Sequence, residues 1–312
     1  MGALARGFPA HPERYPDALT VPFEGGTLPE GPVREWLHGL DVVFSAETFY
    51  DWHLCRWATE LGVATVCMVM PEFHLHHTQG HGMPEPSTWW APTPWRLDAL
   101  PEGTRLVPVP VALDRLAGPQ EPNEGHLRVL HVAGHRAMAD RNGTLILLQA
   151  LRSVRRPLHV TITGQDGRLP ATRTHRTAKI TNQPAGAADY WDLYRAQDVL
   201  CLPRRYGGLC LPAQEAMAAG LGLVMGDCEP NSWWPAITIP GTYQGSISCA
   251  AGRLPTFNAR PSALAAILDQ LADHPEQVTH AQAAARAWAE THSWEALAPL
   301  WREELARAAN RG

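Results

Sequence analysis

Two short stretches carry residue types suited to holding a phosphorylated ligand. The first, AGHRAMADRNG at residues 133–143, sets Gly134 beside two cations, Arg136 and Arg141, ahead of a helix start near Asn142 or Gly143. Arginines next to unsatisfied amide donors at a positive dipole end suit a diphosphate. The second, RRYGGLCLP at residues 204–212, offers several backbone N–H groups, and Gly207 and Gly208 permit unusual dihedrals. Pro212 suits a first helical turn, and Glu215 follows it on the same turn. A carboxylate there can complement the helix dipole, serve only the helix start, or accept two hydroxyls of a ribose. G-x-G-x-x-G is absent from both stretches, so neither is a dinucleotide fingerprint.

A third group of candidates lies in the first half. Glu47 follows the apolar run DVVFSA, and Glu72 and His74 follow the run VATVCMVM. Ligands in open parallel sheets bind beyond the C-terminal strand ends, so each of the three could reach a cleft as a hydrogen-bonding or acid–base group. The surrounding loop, residues 71–96, is rich in His, Pro and Trp. His77 and His81 stand four apart, but Gly80 and Gly82 oppose a helix, so no metal site is expected. Trp89 and Trp90, read as loop residues, offer a stacking platform for a sugar or base, whereas Trp52 and Trp57 fall on a helix and read as core.

The elements that position these residues alternate. In the first half, GPVREWLHGL (residues 31–40) and DWHLCRWATELG (51–62) read as helices around the strands DVVFSA and VATVCMVM. Strands apolar along their whole length indicate a parallel sheet covered on both faces. TRLVPVPVAL gives a last short strand there, and residues 116–126 form a Pro- and Gly-containing linker. In the second half, LRVLHVAG, LHVTITG, AKITNQ, VLCLP and GLVMGD read as strands. NGTLILLQALRSV, AADYWDLYRAQ and LPAQEAMAAG read as helices between them, and two long helical patterns fill residues 261–308. The expectation is an α/β protein of two Rossmann-like domains facing across a cleft, at residues 1–115 and 127–290, with a C-terminal helix at 291–312.

Composition narrows the function. The chain has 312 residues, 45% hydrophobic, and a net charge of -5, which argues against a bulk electrostatic grip on nucleic acid. Its six cysteines form no CxxC pair and lie mostly in apolar runs, as expected of free thiols in a reducing cytoplasm. The opening residues lack a signal-peptide core, and no run of eighteen apolar residues occurs, so a cytoplasmic protein without a membrane span is expected.

YGGLCLPAQEAMAAGLGLV at residues 206–224 resembles the donor-binding segment of the glycogen synthase-like retaining GT-B glycosyltransferases, glycosyltransferase family 4. The family pattern is roughly Y-E-G-F-G-L-P-x-x-E-A-M-A-x-G-x-P-V-V, matched at Gly208, Leu211, Pro212, Glu215, Ala216, Met217, Ala218 and Gly220. DLYRAQDVLCLP, the Arg-rich stretch 133–143 and the terminal THSWEALAPLW are similar to further family segments.

The resemblance implies a GT-B fold whose C-terminal helix crosses back to the first domain. It implies a retaining, metal-independent transfer of sugar from a nucleotide-diphosphate donor to a hydroxyl acceptor, with no further cofactor. It assigns the donor ribose to Glu215 and the diphosphate to Arg136 and Arg141. It places the donor sugar and phosphates against the backbone of Gly208, Leu209 and Cys210, and Gly134, Gly164, Gly207 and Leu211, at the strand ends and loops beside them, are expected to line the same site. The family's other acidic residue, eight positions before Glu215, falls on Gly207, so this chain lacks it. That departure keeps two alternatives open: a catalytically weak sugar-nucleotide-binding protein, or a sugar-nucleotide epimerase. The acceptor is left as a glycan, lipid-linked intermediate, protein, small molecule or modified DNA base.

Overall fold

Apolar runs too short for helices and punctuated by glycine become the strands of two parallel sheets. The computed structural model describes residues 3–6, 18–21, 27–47, 49, 51–72, 85–115, 125–134, 140–164, 177–184, 190–249 and 252–310. Strands β1 (Ala3–Arg6) and β2 (Ala18–Val21) pair in parallel with each other. The first sheet follows, from β3 (Val42–Ser45), β4 (Ala64–Met68), β5 (Thr88–Ala91) and β6 (Arg105–Leu106), adjacent in that order and all parallel. Helices α1 (Glu30–Leu37) and α2 (His53–Glu60) cover one face. Val33, Leu37, Leu54 and Trp57 pack there with Val43, Cys67 and Trp89.

The second sheet contains β7 (Leu127–Gly134), β8 (Leu158–Gly164), β9 (Ala178–Pro184), β10 (Val199–Leu202), β11 (Gly222–Gly226) and β12 (Ala236–Ile239). Its order is β12-β11-β10-β7-β8-β9, parallel throughout. Helices α3 (Thr144–Leu151) and α5 (Pro261–Asp273) cover one face; α4 (Leu211–Ala218) and α6 (Pro275–Thr291) cover the other. The chain steps outward from β7 to β9, then returns to the other side of β7 with β10. The crevice beyond the C-terminal ends of β7 and β10 is therefore the topological switch point, where open α/β sheets bind ligands.

The last helix, α7 (Trp294–Ala309), leaves the second domain and covers the remaining face of the first sheet. Trp301, Leu305 and Ala308 pack there on Val66, Met68 and Trp90. The ring of Trp301 lies 5.3 Å from both Phe44 and Trp90, and its N–H donates to Pro108 O at 2.9 Å. Arg105 pairs with the buried Glu304 at 2.7 Å. The crossing helix and the facing Rossmann-like layers are those of the GT-B fold. Among the described residues no helix is long and apolar enough to cross a membrane.

Some elements differ from the sequence expectation. Trp89 and Trp90 are strand residues, 7% and 0% exposed, so they are core and offer no stacking platform. Strand β5 starts early because Ser87 and Thr65 exchange hydrogen bonds, each backbone N–H donating to the other's hydroxyl, at 3.1 and 3.2 Å. Of the helix expected across AADYWDLYRAQ, the described residues form a tight turn at Tyr190–Leu193, and Ala196 then enters left-handed backbone (φ 56°). The strand expected in TRLVPVPVAL is paired for two residues only, with a further isolated bridge from Val111 to Ser293. Strand β12 and the antiparallel hairpin of β13 (Gly241–Cys249) and β14 (Gly252–Ala259) were not anticipated.

One buried polar side chain ties the strands to the switch point. His131, on β7, is fully buried between Cys201 O (2.7 Å) and Thr144 Oγ1 (2.8 Å). A carbonyl only accepts, so Nδ1 carries the proton and Nε2 accepts from the threonine hydroxyl. Burial lowers the pKa of His131 below the ordinary imidazole value. The folded state therefore holds the neutral ring while the unfolded chain protonates it below about pH 6.5. Stability from this group is full above that pH and falls as the solution is acidified towards the folded pKa. Urea titrations at pH 7, 6 and 5 should show wild type losing up to about 1.4 kcal/mol per pH unit more than His131→Gln. Parallel pH profiles would refute the assignment.

Candidate functional site

Two loops meet at the switch point. The loop after β7 resumes at Asp140, and that after β10 runs from Pro203 to Cys210 into α4. They are locked together by Arg205 N–H donating to Arg141 O at 2.9 Å. Gly143 has a positive φ of 75° and a Cβ there would overlap Pro203 O, so the two backbones pass in contact.

The β10 loop is shaped from inside by a cation. Arg204 is 2% exposed, and its guanidinium donates to Gly208 O at 3.0 Å and Leu209 O at 2.8 Å. Burial lowers its pKa, with Arg141 acting in the same direction. Two carbonyls drawn inward onto one guanidinium fix the path of the Gly207–Gly208 turn. Gly207 sits at φ 110°, and a Cβ there would overlap the Arg141 guanidinium. Arg141 also lies with its Cζ 5.5 Å from the Tyr206 ring centroid.

The first domain closes on this turn. Arg141 Nη2 pairs with Glu72 Oε1 at 2.6 Å, and Gly208 N–H donates to the same oxygen at 3.4 Å. A Cβ on Gly208 would stand 3.3 Å from both Glu72 Oε2 and Trp95 Cε3. Glu72, in the helical turn just past β4, is thus 4% exposed and inserted against the loops after β7 and β10.

Glu215 stands half-buried on α4 and accepts a short hydrogen bond from the hydroxyl of Tyr194, which is itself 1% exposed. Tyr194 is a site residue the sequence reading missed, though it lies in the quoted stretch DLYRAQ. Its phenol fixes one carboxylate oxygen and so the direction of the other. At the facing loop, Asp140 accepts from Thr144 N–H (2.7 Å) and Leu145 N–H (3.1 Å). The dipole end of α3 is therefore already facing a carboxylate, which leaves the Arg141 side chain as the described cation of that loop. Asn142 donates to Val132 O at 2.9 Å and lies against Gly134, whose φ is 70°.

The structure thus brings together Gly134, Arg141, Gly207, Gly208, Leu209, Cys210, Glu215 and, from the first domain, Glu72. Gly164 ends β8 beside Gly134, its register partner. Leu211 is 48% exposed at the start of α4. Glu47 is exposed just past β3. Arg136, His74, His77 and His81 lie outside the described residues. Among the described residues no cluster of three His, Cys, Asp or Glu is arranged to hold a metal ion.

Residues 127–272 match the family model described as glycosyl transferases group 1. Solved structures share the whole fold at low identity. HepE from Anabaena, solved with UDP and glucose, aligns with a TM-score of 0.68 at 12% identity, over 98% of this chain and 92% of that one. A glycosyltransferase from Rickettsia africae gives 0.68 at 11%, over 98% and 89%. The sucrose-phosphate synthase of Thermosynechococcus elongatus gives 0.65 at 14%, over 94% and 84%. No curated protein matches the chain in sequence.

The Arg204 clamp yields a stability prediction. Arg204→Met keeps the stem but leaves two buried carbonyls without a donor, which should cost about 3 kcal/mol of unfolding free energy in urea. A loss below about 1 kcal/mol would show that the loop holds its path without the guanidinium.

Proposed function

We propose that the protein is a retaining glycosyltransferase that moves a sugar from a nucleotide-diphosphate donor to a hydroxyl acceptor. The observation that carries this reading is the constellation at the switch point. A carboxylate oriented by a buried tyrosine stands one helical turn beyond a Gly-rich loop, with an arginine from the neighbouring loop lying over that loop. Residues 1–115 are assigned to the acceptor side and 127–290 to the donor side. The match of residues 127–272 to glycosyl transferases group 1 supports the donor assignment.

In this reading Glu215 accepts the ribose hydroxyls, held in register by Tyr194. Arg141, and Arg136 from the same loop, neutralise the diphosphate as it leaves. The loop at Gly207–Leu211 borders the sugar and phosphates, with Gly134 and Gly164 allowing close approach from β7 and β8. The bond from the sugar's anomeric carbon to the diphosphate breaks, the acceptor oxygen bonds to that carbon from the same face, and the acceptor's proton leaves with the diphosphate. The protein's work is positioning and electrostatic stabilisation, which needs no metal. Glu72, His74 and Glu47 are the first-domain groups assigned to the sugar and acceptor. Gly207 favours a second reading, a binding protein with weak or no transfer, because the Arg141 guanidinium fills the space where a side chain at 207 would stand.

HepE was solved with UDP and glucose, so UDP-glucose heads a panel of nucleotide sugars for thermal-shift measurement. One nucleotide class at about 100 times its Kd should stabilise the wild type by about 2.7 kcal/mol, a shift of several degrees. Glu215→Ala should abolish that shift, and Tyr194→Phe should reduce it about tenfold in affinity while changing stability by only about 1 kcal/mol. If no donor stabilises the wild type, the proposal fails. A donor that binds but is neither hydrolysed nor transferred would favour the second reading.

A further inference from the structure

We infer that the carboxylate of Glu72 occupies the position of a donor phosphate, so that donor binding must exchange the partner of Arg141 from Glu72 to the diphosphate. This rests on the assignment of Arg141 to the diphosphate made above. The two groups that hold Glu72 Oε1 are a guanidinium and a backbone N–H, the pair of donors that recognises a phosphate oxygen. Both belong to the donor-side domain, whereas Glu72 comes from the other domain, at the loop after β4. A carboxylate from one domain lying in the anion-binding groups of the other is a competitor with a fixed local concentration.

The second oxygen makes the pair one that can be given up. Glu72 Oε2 is buried and, among the described residues, has no hydrogen-bond partner. A buried acceptor left without a donor weakens the pair that holds it. Glu304 Oε2 in the Arg105 pair is left the same way, so what sets Glu72 apart is that its Oε1 is held by a guanidinium and a glycine N–H together. The contact is therefore good enough to hold Arg141 in place and poor enough to be displaced. Gly207 is what permits it, since any side chain there would push the guanidinium away from Glu72. Exchange also breaks a direct bond between the domains, so phosphate binding and the cross-cleft contact are linked through one side chain.

The test is calorimetric titration with inorganic pyrophosphate, which presents the phosphate groups without nucleoside or sugar. If Glu72 fills the site nine-tenths of the time, its removal raises apparent affinity about tenfold. Glu72→Gln should therefore bind pyrophosphate about tenfold more tightly than wild type, with Glu72→Asp, whose shorter stem retracts the carboxylate, in between. Asp98→Asn removes an exposed charge from the loop after β5 without contact to Arg141, and should leave affinity unchanged. Equal or weaker binding by Glu72→Gln would overturn the inference while leaving Arg141→Ala, which should abolish binding in every background, to test the diphosphate assignment separately. Equal gains in Glu72→Gln and Asp98→Asn would reduce the effect to net charge and also overturn it. No pyrophosphate binding by any variant would remove both the inference and the reading on which it rests.

Discussion

A guanidinium removed from water must be given acceptors, and the geometry of the loop after β10 follows from how Arg204 finds them. Among the described residues no carboxylate stands at hydrogen-bond distance from it; it takes the carbonyls of Gly208 and Leu209 instead. Drawing two successive carbonyls inward constrains the turn between them and Tyr206, and Gly207 supplies the positive φ this requires. The Gly208 N–H then faces the first domain, where it meets Glu72. A lysine could not do the same, because one ammonium cannot present two parallel donors across a planar fork. The cation's burial is offset in part, by two backbone carbonyls, while its Nε has no partner among the described residues.

The two domains are joined by contacts of different character. Far from the cleft, α7 binds the first sheet through Trp301, Leu305, Ala308 and the Arg105–Glu304 pair, a large apolar contact with few polar conditions attached. Beside the cleft, the polar contacts among the described residues are one charged pair and one long amide contact. Apolar burial is insensitive to ligand charge, whereas an ion pair can trade one anion for another. The apolar contact and the charged one are thus separated by chemistry as well as by distance along the chain.

Much of the fold was legible because it rested on periodicity. Strands such as ATVCM and VLCL are apolar along their whole length, and burial on both faces makes them so. The carboxylate at Glu215 and the turn at Gly207–Gly208 were legible as a motif. What escaped depended on contacts between distant residues. Nothing local marks Tyr194 as the partner of Glu215, or Arg204 rather than Arg205 as the buried cation. The Asp140 carboxylate that accepts from the first N–H groups of α3 also escaped, because it stands three residues before the N-cap, Gly143, and an ordinary capping side chain sits at the N-cap itself. Trp89 and Trp90 were misplaced because a Pro- and His-rich context hid a four-residue strand whose limit is set by the Ser87–Thr65 exchange.

The chain's departure at Gly207 is best understood as a question of charge rather than of a missing group. A carboxylate side chain there would collide with the Arg141 guanidinium as it stands, and would compete with Glu72 for it. With glycine, the turn carries no side chain, the arginine lies across it, and the negative charge near that cation arrives from the opposite domain. The same local balance of one guanidinium and one carboxylate is reached, but it now depends on the domains being together. An acid on the facing domain completes the site only through the contact between the two domains, so the glycine moves a requirement from the covalent chain to that contact, where a ligand's charge acts in the exchange inferred above.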